Sequence, residues 1–133
     1  MASHMQKIAS YAGLAIVFLW FMGGGITHFT NPDFFVAIMP PYLPWHLELV
    51  YLSGVFEIVF AAGLLLPKFR QMAGNLLIAL TLAVTPANLY MWQNPDAFPD
   101  VDPAFLSLRL IVQVILLAII WWSTRDTRWA RPA

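Results

Sequence analysis

Glu57 stands near the middle of Leu47–Leu66, an apolar run long enough to cross a membrane. A carboxylate at the bilayer centre costs at least about 2.5–3.5 kcal/mol, and such groups mark ligand sites, proton relays or paired charges. Its natural partner is Arg109, the one basic residue inside another apolar run, Phe105–Trp122. Gln113 follows Arg109 by four residues and shares its helical face, while Ser53 precedes Glu57 by the same interval. Thr81, Thr85, Asn88 and Trp92 recur at helical spacing in a third run, and His28 closes the first. Three kinds of chemistry suit this set. Glu57 would carry a proton, with Arg109 holding its charge, although a tightly held guanidinium favours the ionised carboxylate and so opposes proton exchange. Alternatively, His28, Ser53, Glu57, Asn88, Arg109 and Gln113 would bind a small molecule, with His28 and Asn88 donating to a carbonyl oxygen and Glu57 at the pocket floor. The third kind is a buried Glu57–Arg109 lock, supported by Gln113 and Asn88, with no ligand.

Other chemistries find little footing. The chain has no cysteine, which excludes disulfides, thiol nucleophiles and cysteine-bound iron–sulfur clusters together. With His4 set aside, the histidines are His28 and His46, separated by a proline-rich loop at a spacing that matches no metal signature. A bis-histidine haem would need the two facing each other across a cavity, so no metal is assigned and haem is disfavoured. Ser53, Ser107 and the threonines lack a nucleophile-elbow context; in membrane helices such hydroxyls usually bond back to their own helix or bridge to another. Gly23-Gly24-Gly25 lies inside an apolar run without a strand–loop–helix setting, so it reads as a helix-packing surface rather than a phosphate loop.

The elements that must position these groups follow from composition. The 133 residues are 60% hydrophobic and 11% charged, against about 25% charged in ordinary soluble domains. Mean hydropathy is +0.70 and net charge is zero, so a lipid bilayer is the expected surrounding and nucleic acid is not a partner. Four runs reach spanning length, roughly Ile8–Thr27, Leu47–Leu66, Met72–Trp92 and Phe105–Trp122. The expected fold is an all-α, four-transmembrane-helix bundle. Pro86 is expected to kink the third span and free a carbonyl near Leu82.

Lys7, Lys68, Arg70, Arg125, Arg128 and Arg131 all fall on one side of four crossings, and Asp33, Glu48, Asp96, Asp100 and Asp102 on the other. This asymmetry predicts both termini in the cytoplasm. On the outer side, the proline-rich loop Phe29–His46 is expected to carry a short interfacial helix over Pro32–Met39, with Asn31 as N-cap and Pro32 at its first position. Trp20, Tyr42, Trp45, Tyr90, Trp92, Trp121 and Trp122 are expected near helix ends as an aromatic belt. Residues 1–5 read as an expression-vector addition, 6–124 as a single transmembrane domain and 125–133 as a basic cytoplasmic tail. The first span is expected to be retained rather than cleaved as a signal peptide.

Several pieces in this order resemble the DoxX-like family of small four-helix membrane proteins. They are Gly25-Ile26-Thr27-His28-Phe29, the Pro32…Pro40…Leu43-Pro44 loop, Ser53-Gly54-Val55-Phe56-Glu57, Leu66-Pro67-Lys68-Phe69-Arg70, Pro86-Ala87-Asn88-Leu89-Tyr90-Met91 and Arg109. The resemblance covers about Gly13 to Gln113 and implies a bundle in the bacterial cytoplasmic membrane. It also implies an association with quinone-linked oxidoreductases, either as a subunit or as an accessory to a redox protein. Thiol chemistry found in distantly similar folds does not carry over to a chain without cysteine. The cofactor stays open, with quinone the candidate that the resemblance implies. Against this stand a non-enzymatic module that binds or moves a small apolar ligand or lipid, and an assembly or structural subunit packing through its small-residue faces, homo-oligomers included.

Overall fold

The structure, a computed structural model, describes residues 3–125. The expected basic tail lies outside the described residues, except for Arg125. Five α-helices and one 3-10 turn make up the fold: α1 (His4–Thr30), α2 (Pro32–Ala37), α3 (His46–Gly63), α4 (Arg70–Gln93), the turn Pro95–Ala97, and α5 (Pro103–Arg125). α1, α3, α4 and α5 are each long and apolar enough to span a membrane. They form the expected all-α bundle, in which α1 packs on α3 and α5, and α4 on α5 and α3. Large apolar side chains point outward along every span, Leu19 (68% exposed), Leu65 (59%), Leu82 (54%) and Val114 (65%) among them. Such a surface suits lipid and would be a liability in water.

Local chemistry sets the helix ends. Ser3 caps α1 through a reciprocal box: its hydroxyl accepts from the Gln6 amide at 3.1 Å, and its own N–H donates to Gln6 Oε1 at 2.7 Å. The segment read as an expression-vector addition therefore starts the helix, which begins four residues before the expected Ile8. Pro32 opens α2 as expected, but the Asn31 side chain makes no capping bond, and the helix stops at Ala37 rather than Met39. Asp102 Oδ1 accepts from the Ala104 amide at 2.9 Å and caps α5. At the head of α3, Trp45 adopts φ 52°, the one non-glycine left-handed residue among those described. α4 runs through Pro86 without interruption. Immediately before it, Thr85 Oγ1 donates to the Thr81 carbonyl at 2.8 Å, a local bond of the kind that steadies a helix around proline.

Alternating spans give the bundle two ends. The basic end gathers Lys7, Lys68, Arg70 and Arg125, with Arg70 Nε donating to the Leu64 carbonyl at 2.7 Å and Arg125 bonded to Asn75. Its core is Leu14, Val17, Phe21, Ala61, Leu64, Ala73, Leu77 and Ile120. The loop end gathers α2, the start of α3 and the links around the 3-10 turn, and has a second core of Ile38, Met91, Phe98 and Leu106. Trp20 lies ten residues inside α1, well away from either end, because α1 extends to Thr30. It stands mid-helix rather than near a helix end as expected.

Candidate functional site

A cavity of about 860 Å³ occupies the loop half of the bundle, walled by all four spans and roofed by α2 and the proline loop. Phe34, Phe35, Ile38, Met39, Pro40 and Leu43 form that roof. His28, Ser53, Glu57, Asn88, Arg109 and Gln113, the six polar residues singled out by spacing and depth, all line it. The remaining wall is almost wholly apolar, and the volume falls within the roughly 300–1,000 Å³ typical of small-molecule sites.

Two glycines set the α1–α3 seam. A Cβ on Gly25 would stand 2.9 Å from the Gly54 carbonyl and 2.7 Å from Ile58 Cγ1. A Cβ on Gly54 would lie 2.8 Å from His28 Cβ and 3.1 Å from the Gly25 carbonyl. Only hydrogen at both positions lets the backbones approach this closely. The Gly23-Gly24-Gly25 run therefore divides its duties. Gly25 packs the helices, Gly24 faces Glu57 Oε2 at 3.4 Å from an added Cβ, and Gly23 has nothing within 4 Å and borders the cavity.

The close seam decides the partner of Glu57. Its Oε2 lies 3.4 Å from His28 Nε2, is buried, and accepts no hydrogen bond. The ring is fixed from the other side: His28 Nδ1 is 2.7 Å from the Val50 carbonyl, and Phe35 packs on the ring at a centroid distance of 3.9 Å. The expected Glu57–Arg109 ion pair does not form. Because the first turns of α3 project past the end of α1, Glu57 sits level with Gly24 and Gly25, opposite α1 rather than α5. Glu57 is also a side wall and not the floor, since Leu19, Trp20, Leu80 and Leu116 continue the cavity towards the basic end. His28, with Nδ1 held by Val50 and Nε2 turned to Glu57, is not placed to donate freely to a ligand carbonyl.

Arg109 occupies the α5 wall. Its guanidinium donates to Met91 Sδ at 3.4 Å, and among the described residues it forms no ion pair. One turn on, Gln113 ties α5 to α4. Asn88 Nδ2 donates to Gln113 Oε1 at 2.7 Å, and Gln113 Nε2 donates to Thr85 Oγ1 at 2.5 Å. Asn88 and Gln113 thus serve each other rather than an ion pair. Trp92 Nε1 adds a bond to Ser107 Oγ at 3.1 Å nearer the loop end. Ser53 borders the cavity one turn before Glu57. His46 Nε2 approaches the Pro40 carbonyl at 3.2 Å and braces the roof.

Sequence spacing did not single out Val50, Phe35 or Met91 as partners. Carbonyls leave no residue-type signal, and the apolar side chains that fix a polar one look like ordinary membrane residues. Among the described residues, no three histidine or acidic side chains gather in a metal-holding group.

Fold and cavity together define a small, multi-pass helical membrane protein with an intramembrane cavity. Over residues 14–124 the chain matches the family described as a domain of unknown function, DUF8561, and it belongs to that family. No curated protein and no solved structure matches the chain.

Proposed function

We propose that the cavity binds a small membrane-soluble molecule, and that the protein serves a quinone-linked oxidoreductase as a subunit or accessory. The observation that carries the first half is the convergence of six polar side chains from all four spans on one apolar cavity. Intramembrane polar groups are costly, and although His28 meets Glu57 and Asn88 meets Gln113, Arg109 bonds to none of the other five, so the set does not close into one lock across the hollow of about 860 Å³. The second half rests on the DoxX-like resemblance, which also supports placement in the bacterial cytoplasmic membrane. The basic residues at one end support cytoplasmic termini.

The residues present fit a quinone in kind: an apolar hollow with a cation and amide groups on its wall. Arg109 and Asn88 would hold the head, and the group when bound would supply two-electron, two-proton chemistry. The chain's own part is to shape the hollow, to hold the head at Arg109 and to keep a proton at the His28–Glu57 pair. A second reading is a non-redox module that binds or carries a lipid-like molecule, and the guanidinium of Arg109, without a carboxylate partner, favours it.

The test is mass spectrometry of small molecules co-purifying with wild type, Glu57→Gln and Arg109→Gln, each first shown to be folded. A quinone enriched in wild type and depleted in both variants supports the redox reading. A lipid with that pattern supports the second, and no specific molecule in wild type sinks both.

A further inference from the structure

Among the described residues, Glu57 is the sole carboxylate on the cavity wall, and Arg109 the sole lysine or arginine. Their separation leaves a charge to account for. The Val50 carbonyl, 2.7 Å from His28 Nδ1, accepts a proton carried by that nitrogen. Nε2 then presents either a lone pair or a second proton to Glu57 Oε2, 3.4 Å away. Two lone pairs brought together repel, so a proton on the carboxyl group or on the ring is the favoured state of this contact, although Oε2 makes no hydrogen bond in the structure. In either form the pair is neutral overall.

The wall is left with the positive charge of Arg109. Met91 Sδ, its acceptor at 3.4 Å, is a weak and uncharged one. A cation held beside apolar walls remains costly until an anion joins it, and the planar guanidinium fork matches the paired oxygens of a carboxylate or phosphate. Leu108 and Val112 flank it on α5, and Val84 and Leu80 on α4 carry hydrocarbon surface along the cavity towards the basic end.

We infer that the cavity selects an amphiphile with a singly negative oxyanion head, a carboxylate or phosphate seated on Arg109, and a hydrocarbon body along the apolar wall. This rests on the cavity being a ligand site and not on the redox assignment. A neutral head, such as an ester or a quinone carbonyl, leaves the guanidinium without a counter-charge and binds more weakly. Two sources share this chemistry: a free fatty-acid-like amphiphile, or an anionic phospholipid entering from the bilayer.

Radiolabelled palmitate and methyl palmitate, titrated at mildly alkaline pH into the protein in phosphatidylcholine nanodiscs, test it. Palmitate is expected to bind wild type at least about tenfold more tightly than the ester, the effect of one charge-assisted contact. Arg109→Gln should erase that preference while keeping ester binding, which also reports an intact cavity, and Arg109→Lys should keep part of it. Equal binding of acid and ester to wild type, or a preference that survives Arg109→Gln, overturns the headgroup assignment and leaves the cavity a ligand site. If palmitate, its ester and decylubiquinone all fail to bind wild type, the cavity itself is not a ligand site and the assignment falls with it. Nanodiscs containing phosphatidylglycerol separate the sources. Loss of palmitate binding there identifies a phospholipid headgroup as the occupant, and retained binding identifies a free amphiphile.

Discussion

At the basic end, Gly74 brings α4 against Thr124, and Gly13 brings α1 against Trp122 and Ser123; from Leu19, Leu80 and Leu116 towards the loop end the same helices part around a cavity of about 860 Å³. The hydroxyls differ in the same way. Ser123 and Thr124 bond to the Ile119 and Ile120 carbonyls of their own helix, at 2.7 and 2.6 Å, and ask nothing of a neighbour. In the loop half, Thr85 accepts from Gln113 and His28 reaches the Val50 carbonyl, so polar groups there join one helix to another. Small, self-satisfied residues let helices close, whereas long polar side chains that bridge helices set a spacing and leave room between them.

The largest expected effect comes from closing the one tight contact in the cavity half. Gly25→Leu would drive a side chain into the Gly54 carbonyl and Ile58. Overpacking costs about 1–3 kcal/mol in ordinary cores and more where backbone must move, so little folded protein should survive detergent extraction. Recovery of a monodisperse variant with an unchanged thermal midpoint would show that the α1–α3 seam does not hold the two helices as described.

Next in size is the bridge itself. Gln113→Leu strands Asn88 Nδ2 and removes the donor to Thr85, with an expected loss of about 1–3 kcal/mol, read as a lowered thermal midpoint. Replacing both partners, Asn88→Leu with Gln113→Leu, should be less harmful than the sum of the single changes, because no buried amide is left alone. Strict additivity in that cycle would mean that the two residues do not act as a unit. At the other end, Ser123→Ala should shift stability by less than about 1 kcal/mol, since only a bond within one helix is lost. A basic-end hydroxyl as costly as Gln113 would erase the contrast between the halves.

The apolar runs made the four spans and the short loop helix legible, because period and length are local properties. Depth and type likewise marked the six polar residues that border the cavity. Their pairing was not legible. Whether Glu57 meets His28 or Arg109 depends on how far α3 projects past α1, and that offset is set by Gly25 against Gly54, a contact between segments that carries no charge pattern. Trp20 was misplaced for a related reason: the apolar run ended at Thr27, but α1 continues to Thr30 and begins at His4, leaving the indole mid-helix at the cavity wall. His28 looked available to a ligand because nothing in the sequence shows the Val50 carbonyl that holds it.

The smallest effect carries the finest discrimination, because it concerns adjacent residues of one type. Gly23 borders the cavity and an added Cβ meets nothing within 4 Å, whereas two residues on, the same methyl meets backbone at 2.9 Å. Alanine is better than glycine in a helix interior by up to about 1 kcal/mol. Gly23→Ala should therefore be neutral or slightly stabilising, while Gly25→Ala destabilises, so the two thermal midpoints should move in opposite directions. If the two variants fall together, Gly23 also packs against a neighbour and the helices do not part where the cavity begins. If they separate as expected, larger residues at position 23 become a graded probe of the hollow. Gly23→Leu should keep the fold and lower ligand capacity, tying cavity volume to binding without touching any polar group.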